Sequence, residues 1–157
     1  MPNSAVAIAG RRLELAQFLP YRLSVLTNRV SSAIARTYSA RFGLTIPEWR
    51  VMAVLGGAGG LSARDVAERT AMDKVQVSRA IARLVSKKRV QRLPDVSDAR
   101  VTRLLLTAKG RAIYDEIAPL ALMLEDILLD ALSPAERTTL DRIMTKLGRQ
   151  ASLLGAE

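Results

Sequence analysis

Apolar residues near the start of the chain recur at steps of three and four: Leu19, Leu23, Leu26, Val30, Ile34 and Tyr38. That spacing marks one face of a helix and predicts a long one from about Arg11 to Phe42. Pro20 is tolerated only near a helix start, so the regular part should begin there, and Gly43 should end it. Thr45-Ile-Pro-Glu48 carries a cap, a first-turn proline and a capping-box glutamate, opening a second helix with Trp49, Met52, Val54 and Leu55 inward. The run Gly56 to Gly60 should break it.

Ser62 and Asp65 then start a short helix with Val66 and Ala67 inward, and Thr70 to Asp73 is its turn. Asp73 and Gln76 should cap a longer helix. Wound at 100° per residue, it places Val77, Ile81, Leu84 and the stem of Lys88 on one face. The opposite face carries Val75, Gln76, Arg79, Ala82, Arg83 and Ser86. Two strand-like runs follow, Val90 to Pro94 and Val101 to Thr107, separated by the turn residues Asp95 to Asp98.

Beyond Thr107, a predicted cap, a helix over residues 109–132 shows Ile113, Ile117, Leu120, Leu124, Ile127 and Ala131 in a stripe, with a kink expected at Pro119. Ser133-Pro-Ala-Glu136 starts a last helix lined by Leu140, Ile143, Leu147, Ala151 and Leu154. The fold class predicted is therefore mainly α with a small β-wing: a winged helix-turn-helix over 44–107, flanked by a helical dimerisation region over 1–43 and 108–157. The outer helices have more apolar length than so small a module can cover, which argues for a homodimer.

Charge sharpens the picture. The chain has a net +9, and residues 62–107 hold eleven cations against five anions, which is +6 of that total. A sequence pI near 10.8 asks for a polyanionic partner. With no cysteine and no histidine, disulfides, ordinary zinc sites and the commonest acid-base residue are gone, so no metal, no cofactor and no enzyme is expected. Catalysis would have to run on carboxylates or a lysine, and the acids are mostly explained by caps. The glycine run lacks the Lys-Ser or Lys-Thr of a phosphate loop. Ala5 to Ala9 precedes its arginines, the wrong order for a signal peptide, and Glu14, Gln17 and Arg22 interrupt a twin-arginine segment. The longest apolar run, Ile117 to Leu124, is too short to span a bilayer, so no membrane partner is expected. The expected setting is the cytoplasm, at the nucleoid when bound.

Double-stranded DNA suits the remaining features. A small, hydrogen-bonding, cationic helix face fits a major groove about 12 Å wide, with Arg79 or Arg83 bidentate on guanine, Gln76 on adenine and Val75 against a thymine methyl. The hairpin would straddle the backbone and send Arg100 into the minor groove, with Arg92 and Arg103 on its arms. A two-fold pair of such helices about 34 Å apart would meet successive major grooves. An effector cleft is expected where the first helix meets the winged module, with Tyr38, Arg41, Phe42 and Trp49 offering stacking surface and a carboxylate partner. Plain core and hinge packing is the simpler account of those four.

The residues also resemble the MarR-type winged helix-turn-helix regulators. The similar segments are Leu44-Thr-Ile-Pro-Glu-Trp-Arg-Val-Met, Leu61-Ser-Ala-Arg-Asp-Val-Ala-Glu-Arg, Met72-Asp-Lys-Val-Gln-Val-Ser-Arg, Asp95-Val-Ser-Asp-Ala-Arg100 and Leu106-Thr-Ala-Lys-Gly110. They run in order between about Leu19 and Ile117. The resemblance implies an obligate dimer on pseudo-palindromic operators, often released by a small aromatic or phenolic ligand. It implies DNA contacts at Val75, Gln76, Ser78 and Arg79, and a wing motif in which Asp98 holds arginine geometry while Arg100 enters the minor groove. Val75 replaces a usual small hydroxyl, Ala99 one of two usual wing arginines, and Arg89 a common turn glycine. Thiol-oxidation sensing is ruled out by the absence of cysteine. A ligand-released repressor is the leading expectation, and a constitutive or architectural DNA-binding protein the alternative.

Overall fold

The computed structural model describes residues 12–154. The readings that rest on Ala5 to Ala9 and on Arg11 lie outside the described residues. Helix α1 (Leu19–Phe42) has Pro20 in its first turn and ends at Gly43, whose φ of 59° is left-handed and whose N–H returns to the Ser39 carbonyl. Only a residue without Cβ takes that conformation at no steric penalty, which is why the helix stops there. Helix α2 (Ile46–Gly57) opens on the expected capping box: the Thr45 N–H donates to Glu48 Oε2 at 2.8 Å, and the Glu48 N–H to the Thr45 hydroxyl at 3.3 Å.

The glycine run does not break α2 at its first residue. Gly56 and Gly57 are helical, and a Cβ on Gly56 would lie 2.2 Å from the Tyr114 ring. Gly56 is therefore a packing position, open so that an aromatic ring can cross the helix. Helix α3 (Ala63–Thr70) is capped by Ser62 and Asp65 in a reciprocal box, and Ala71 takes the left-handed turn at its end.

Helix α4 (Lys74–Ser86) is capped by the Asp73 carboxylate, which accepts the Gln76 N–H at 2.8 Å. Gln76 contributes that backbone group to the cap. The helix is also shorter than its periodicity suggests. The N–H groups of Arg89 and Lys88 return to the carbonyls of Leu84 and Val85, a closing motif that throws Lys88 to φ 56° and into solvent. Lys88 is thus off the inner face, and the left-handed turn residue is Lys88 instead of Arg89.

Strands β1 (Val90–Pro94) and β2 (Thr102–Leu106) pair antiparallel, with Val90 opposite Leu106 and Pro94 opposite Thr102. On its other side β2 is anchored to the loop before α3, where the Leu104 N–H donates to the Leu61 carbonyl at 2.8 Å. Thr107 caps α5 (Ala108–Leu129) through the Gly110 N–H, and α5 continues through Pro119. The box of Ser133 and Glu136 starts α6 (Pro134–Leu154).

One apolar centre holds the winged module. Val51, Met52 and Leu55 of α2, Val66 of α3, Val77, Ala80, Ile81 and Leu84 of α4, Val90 and Leu104 of the hairpin, and Ile113 and Ile117 of α5 are buried together with Tyr38 and Leu44. Burying a Val, Leu or Ile side chain stabilises by roughly 1.5–3 kcal/mol. The apolar face of α4 is therefore firmly seated, which turns its other face outward. The ends of the chain differ: α6 buries no residue, and Leu19, Leu23, Leu26, Leu120, Ile127, Leu140, Ile143 and Leu147 remain exposed.

Candidate nucleic-acid interface

Seating Val77, Ala80, Ile81 and Leu84 leaves Val75, Gln76, Ser78, Arg79 and Arg83 on the exposed surface of α4. Val75 is 58% exposed although it is apolar, so nothing among the described residues buries it. Arg79 and Arg83 stand one turn apart. Arg92 is exposed on β1, in register with buried Leu104, and Arg100 is exposed at the wing tip. Among the described residues, the side chains of Arg79, Arg83, Arg92 and Arg100 make no ion pair and no hydrogen bond. The sequence-predicted DNA residues thus come together on two neighbouring elements, with their guanidinium groups uncommitted.

Other cations of the same stretch are committed. Arg64 pairs with Glu68 at 3.2 Å. Lys87 reaches Glu48 Oε1 at 3.3 Å and the Gly43 carbonyl at 3.0 Å, and Arg89 donates to the Phe42 carbonyl. These last two tie the end of α4 to the end of α1. The raw charge count therefore overstates what is free to meet a polyanion.

The wing is held differently from its expected form. Asp98 Oδ1 accepts the backbone N–H of Arg100 at 3.0 Å, so it fixes the chain before the arginine and not the guanidinium. The carboxylate that grips an arginine is Asp95, whose Oδ2 accepts Arg103 Nε at 2.5 Å. Asp95 Oδ1 meanwhile accepts the N–H groups of Ser97 and Asp98. Hydrogen bonds from Ser97 and Arg103 hold the Asp95 carboxyl well below the usual carboxylate range. Arg103 lies on the β2 arm, as expected, but its half-exposed guanidinium is already held by Asp95 and the Gly60 carbonyl.

A cleft of about 780 Å³ lies between α3, α4 and the wing, floored by Ala67, Val77, Ile81 and Leu104 and rimmed by Arg64, Lys74 and Arg92. Periodicity alone does not announce it, because its walls come from three elements.

The four residues expected at an effector cleft are only partly together. Tyr38 is buried against Trp49, with ring centroids 5.6 Å apart, and Trp49 stacks on Tyr114 at 6.0 Å. Burial pushes the Tyr38 hydroxyl up to about 12, against a smaller opposing pull from Arg50. Arg41 sits over the Phe42 ring and pairs with Glu116 of α5 at 2.5 Å. Tyr114 of α5, which sequence reading passed over, joins the aromatic group by stacking on Trp49 of α2, a contact between distant parts of the chain that local spacing does not signal.

The family model described as the MarR family matches residues 42–101. A helix-turn-helix transcriptional repressor of Mycobacterium tuberculosis is 27% identical over 132 residues, which cover 83% of this chain and 91% of that protein. The crystal structure of a MarR/EmrR family transcriptional regulator from Acinetobacter sp. ADP1 superposes with a TM-score of 0.83 at 25% identity, over 90% of this chain and 99% of that one. The regulator BpsR of Bordetella bronchiseptica, whose DNA binding is regulated by 6-hydroxynicotinic acid, superposes with a TM-score of 0.76 at 26% identity, over 88% and 98% of the two chains.

Proposed function

We propose, for a chain that belongs to the MarR family of winged helix-turn-helix transcriptional regulators, that it is a dimeric repressor which holds a pseudo-palindromic operator and releases it when a small aromatic or phenolic ligand binds. One observation carries the DNA half of this reading: Arg79, Arg83 and Arg100 stand exposed on adjoining elements with no side-chain partner among the described residues, beside the half-apolar, half-polar face of Val75, Gln76 and Ser78. Cations without internal partners in a chain of net +9 favour phosphate and base edges. Arg92 would add a backbone contact at the base of the wing.

The dimer is supported by the exposed apolar faces of α1, α5 and α6. A monomer rarely leaves such contiguous surface wet, and residues 1–43 and 108–157 are proposed to form the region that buries it. The winged module, 44–107, would then be held out on each side. Such a protein works in the cytoplasm, at the nucleoid; among the described residues no helix is long and apolar enough to cross a membrane.

The effector half rests on Tyr38, Arg41, Phe42 and Trp49 at the junction of α1 with the winged module, and on the ligand-regulated relative. Trp49, the one tryptophan of the chain, makes it testable. A duplex selected from a random-sequence library is titrated with the protein and then with 6-hydroxynicotinic acid and related hydroxylated aromatic acids. Release of the duplex with a saturable change in Trp49 fluorescence supports the reading. Undiminished binding throughout the series, without a fluorescence change, favours a constitutive DNA-binding protein.

A further inference from the structure

Arg103 is joined to three separate parts of the protein. Its Nε donates to Asp95 Oδ2 at 2.5 Å, its Nη1 donates to the Gly60 carbonyl at 3.2 Å, and the same Nη1 lies 3.7 Å from Asp65 Oδ2. Gly60 belongs to the loop before α3, and Asp65 is the capping carboxylate of α3. Asp95, through its other oxygen, builds the turn that carries the chain to Arg100. A single guanidinium therefore links the tip of the wing to the helix-turn-helix.

The base of the wing needs no such link, since Leu104 is already paired with Leu61 through the backbone. Beyond that point the hairpin is two-stranded, and an isolated two-stranded ribbon is marginal in water. We propose that Arg103 is a positioning residue: it sets the angle of the wing so that Arg100 reaches the DNA, and it does not touch DNA itself. The electrostatics agree. A phosphate approaching Arg103 would also meet Asp65 and Asp95, whose two carboxylates oppose it, whereas Arg100 has no ion pair to give up among the described residues. The proposal rests on the reading of the winged module as the DNA-binding surface.

A double-mutant cycle on the full chain tests it, with a duplex that the wild-type protein selects from a random-sequence library. Arg100→Ala should weaken binding on the order of tenfold in the wild-type background, and less than about threefold once Arg103→Gln is present. Asp95→Asn keeps the oxygen that builds the turn and removes the acceptor for Arg103. It also removes a negative charge near a polyanion, so simple electrostatics predicts tighter binding while the strut predicts weaker binding. Thermal unfolding of each variant separates a misplaced wing from a lost fold, since Arg103→Gln should unfold within a few degrees of wild type. Equal effects of Arg100→Ala in both backgrounds, or tighter binding by Asp95→Asn, would overturn the proposal. Wild-type protein that selects no duplex overturns the DNA-binding reading beneath it, a result distinct from an additive cycle.

Discussion

Lys87 Nζ, at the end of α4, lies 3.3 Å from the Glu48 carboxylate, which is 1% exposed. It also donates to Gly43, the residue that ends α1. This pair joins the starts and ends of three helices at one point. Burial raises the Glu48 carboxyl, but the Thr45 N–H and hydroxyl and the Lys87 ammonium outweigh it and leave the group below its usual range.

Removing either partner should therefore destabilise the fold. Lys87→Met leaves a buried carboxylate without its cation, and with Lys87 itself partly in solvent the loss should be about 1–2 kcal/mol. The pH dependence follows from the direction of the Glu48 shift. A depressed folded-state pKa contributes stability above the unfolded value near 4.5, and that stability is lost as pH falls through the folded value. Glu48→Gln should be less stable at pH 7 and should lose less of its stability below about pH 4.5. Denaturant melts of both variants from pH 7 to pH 3 measure it; a Glu48→Gln curve parallel to wild type would count against the pairing.

At the other end of the pH scale Tyr38 gives a separate signal. Its folded pKa is raised by burial from 10.0 to about 12, so the unfolded chain ionises first and stability falls as pH rises between those values. Absorbance at about 295 nm, where phenolate is seen, should show a late-titrating step from Tyr38. Tyr38→Phe should remove that late step and flatten the alkaline loss.

Two glycines should respond in opposite ways to alanine. A Cβ at Gly110 would lie 2.0 Å from the Arg89 carbonyl oxygen, a backbone atom that cannot rotate aside, so Gly110→Ala should destabilise by about 2 kcal/mol or more. Gly148 in α6 has nothing within 4 Å; Gly148→Ala should stabilise by about 0.5–1 kcal/mol through helix propensity alone. Denaturant titration of the two variants compares them directly.

Lys88 supplies a fourth prediction, because a side chain with Cβ occupies φ 56° there. Lys88→Gly removes the steric penalty of the left-handed turn and should raise stability by about 1 kcal/mol, measured as a higher denaturation midpoint.

Local features of the fold were legible in the sequence. The boxes at Thr45/Glu48, Ser62/Asp65 and Ser133/Glu136 each lie within one helical turn, so spacing alone reveals them. The inner face of α4 was likewise visible, because Val77, Ile81 and Leu84 recur at helical steps against a polar background. In α2 the signal failed: its residues are apolar on nearly every side, so period could not single out Val51, which is buried. Contacts across sequence distance stayed hidden too. Nothing in the spacing of Arg103 separates an arginine aimed at DNA from one held by Asp95 and Gly60, nor shows that Lys87 and Arg89 hold the end of α1. The candidate DNA residues were found because their signal is one of charge on an exposed face, and exposure follows from the pattern of what is buried beside them.

We propose that α4 and the wing bind duplex DNA through their uncommitted arginines. Affinity for a library-selected duplex, measured against salt for the wild type and for Arg79→Ala combined with Arg100→Ala, tests it most directly. For the wild type, log affinity should fall linearly with log salt, and the double variant should lose most of its specific affinity, its slope becoming shallower by about one for each removed cation that contacts a phosphate. Retained specific binding by the double variant, or wild-type affinity that does not change with salt, would contradict it.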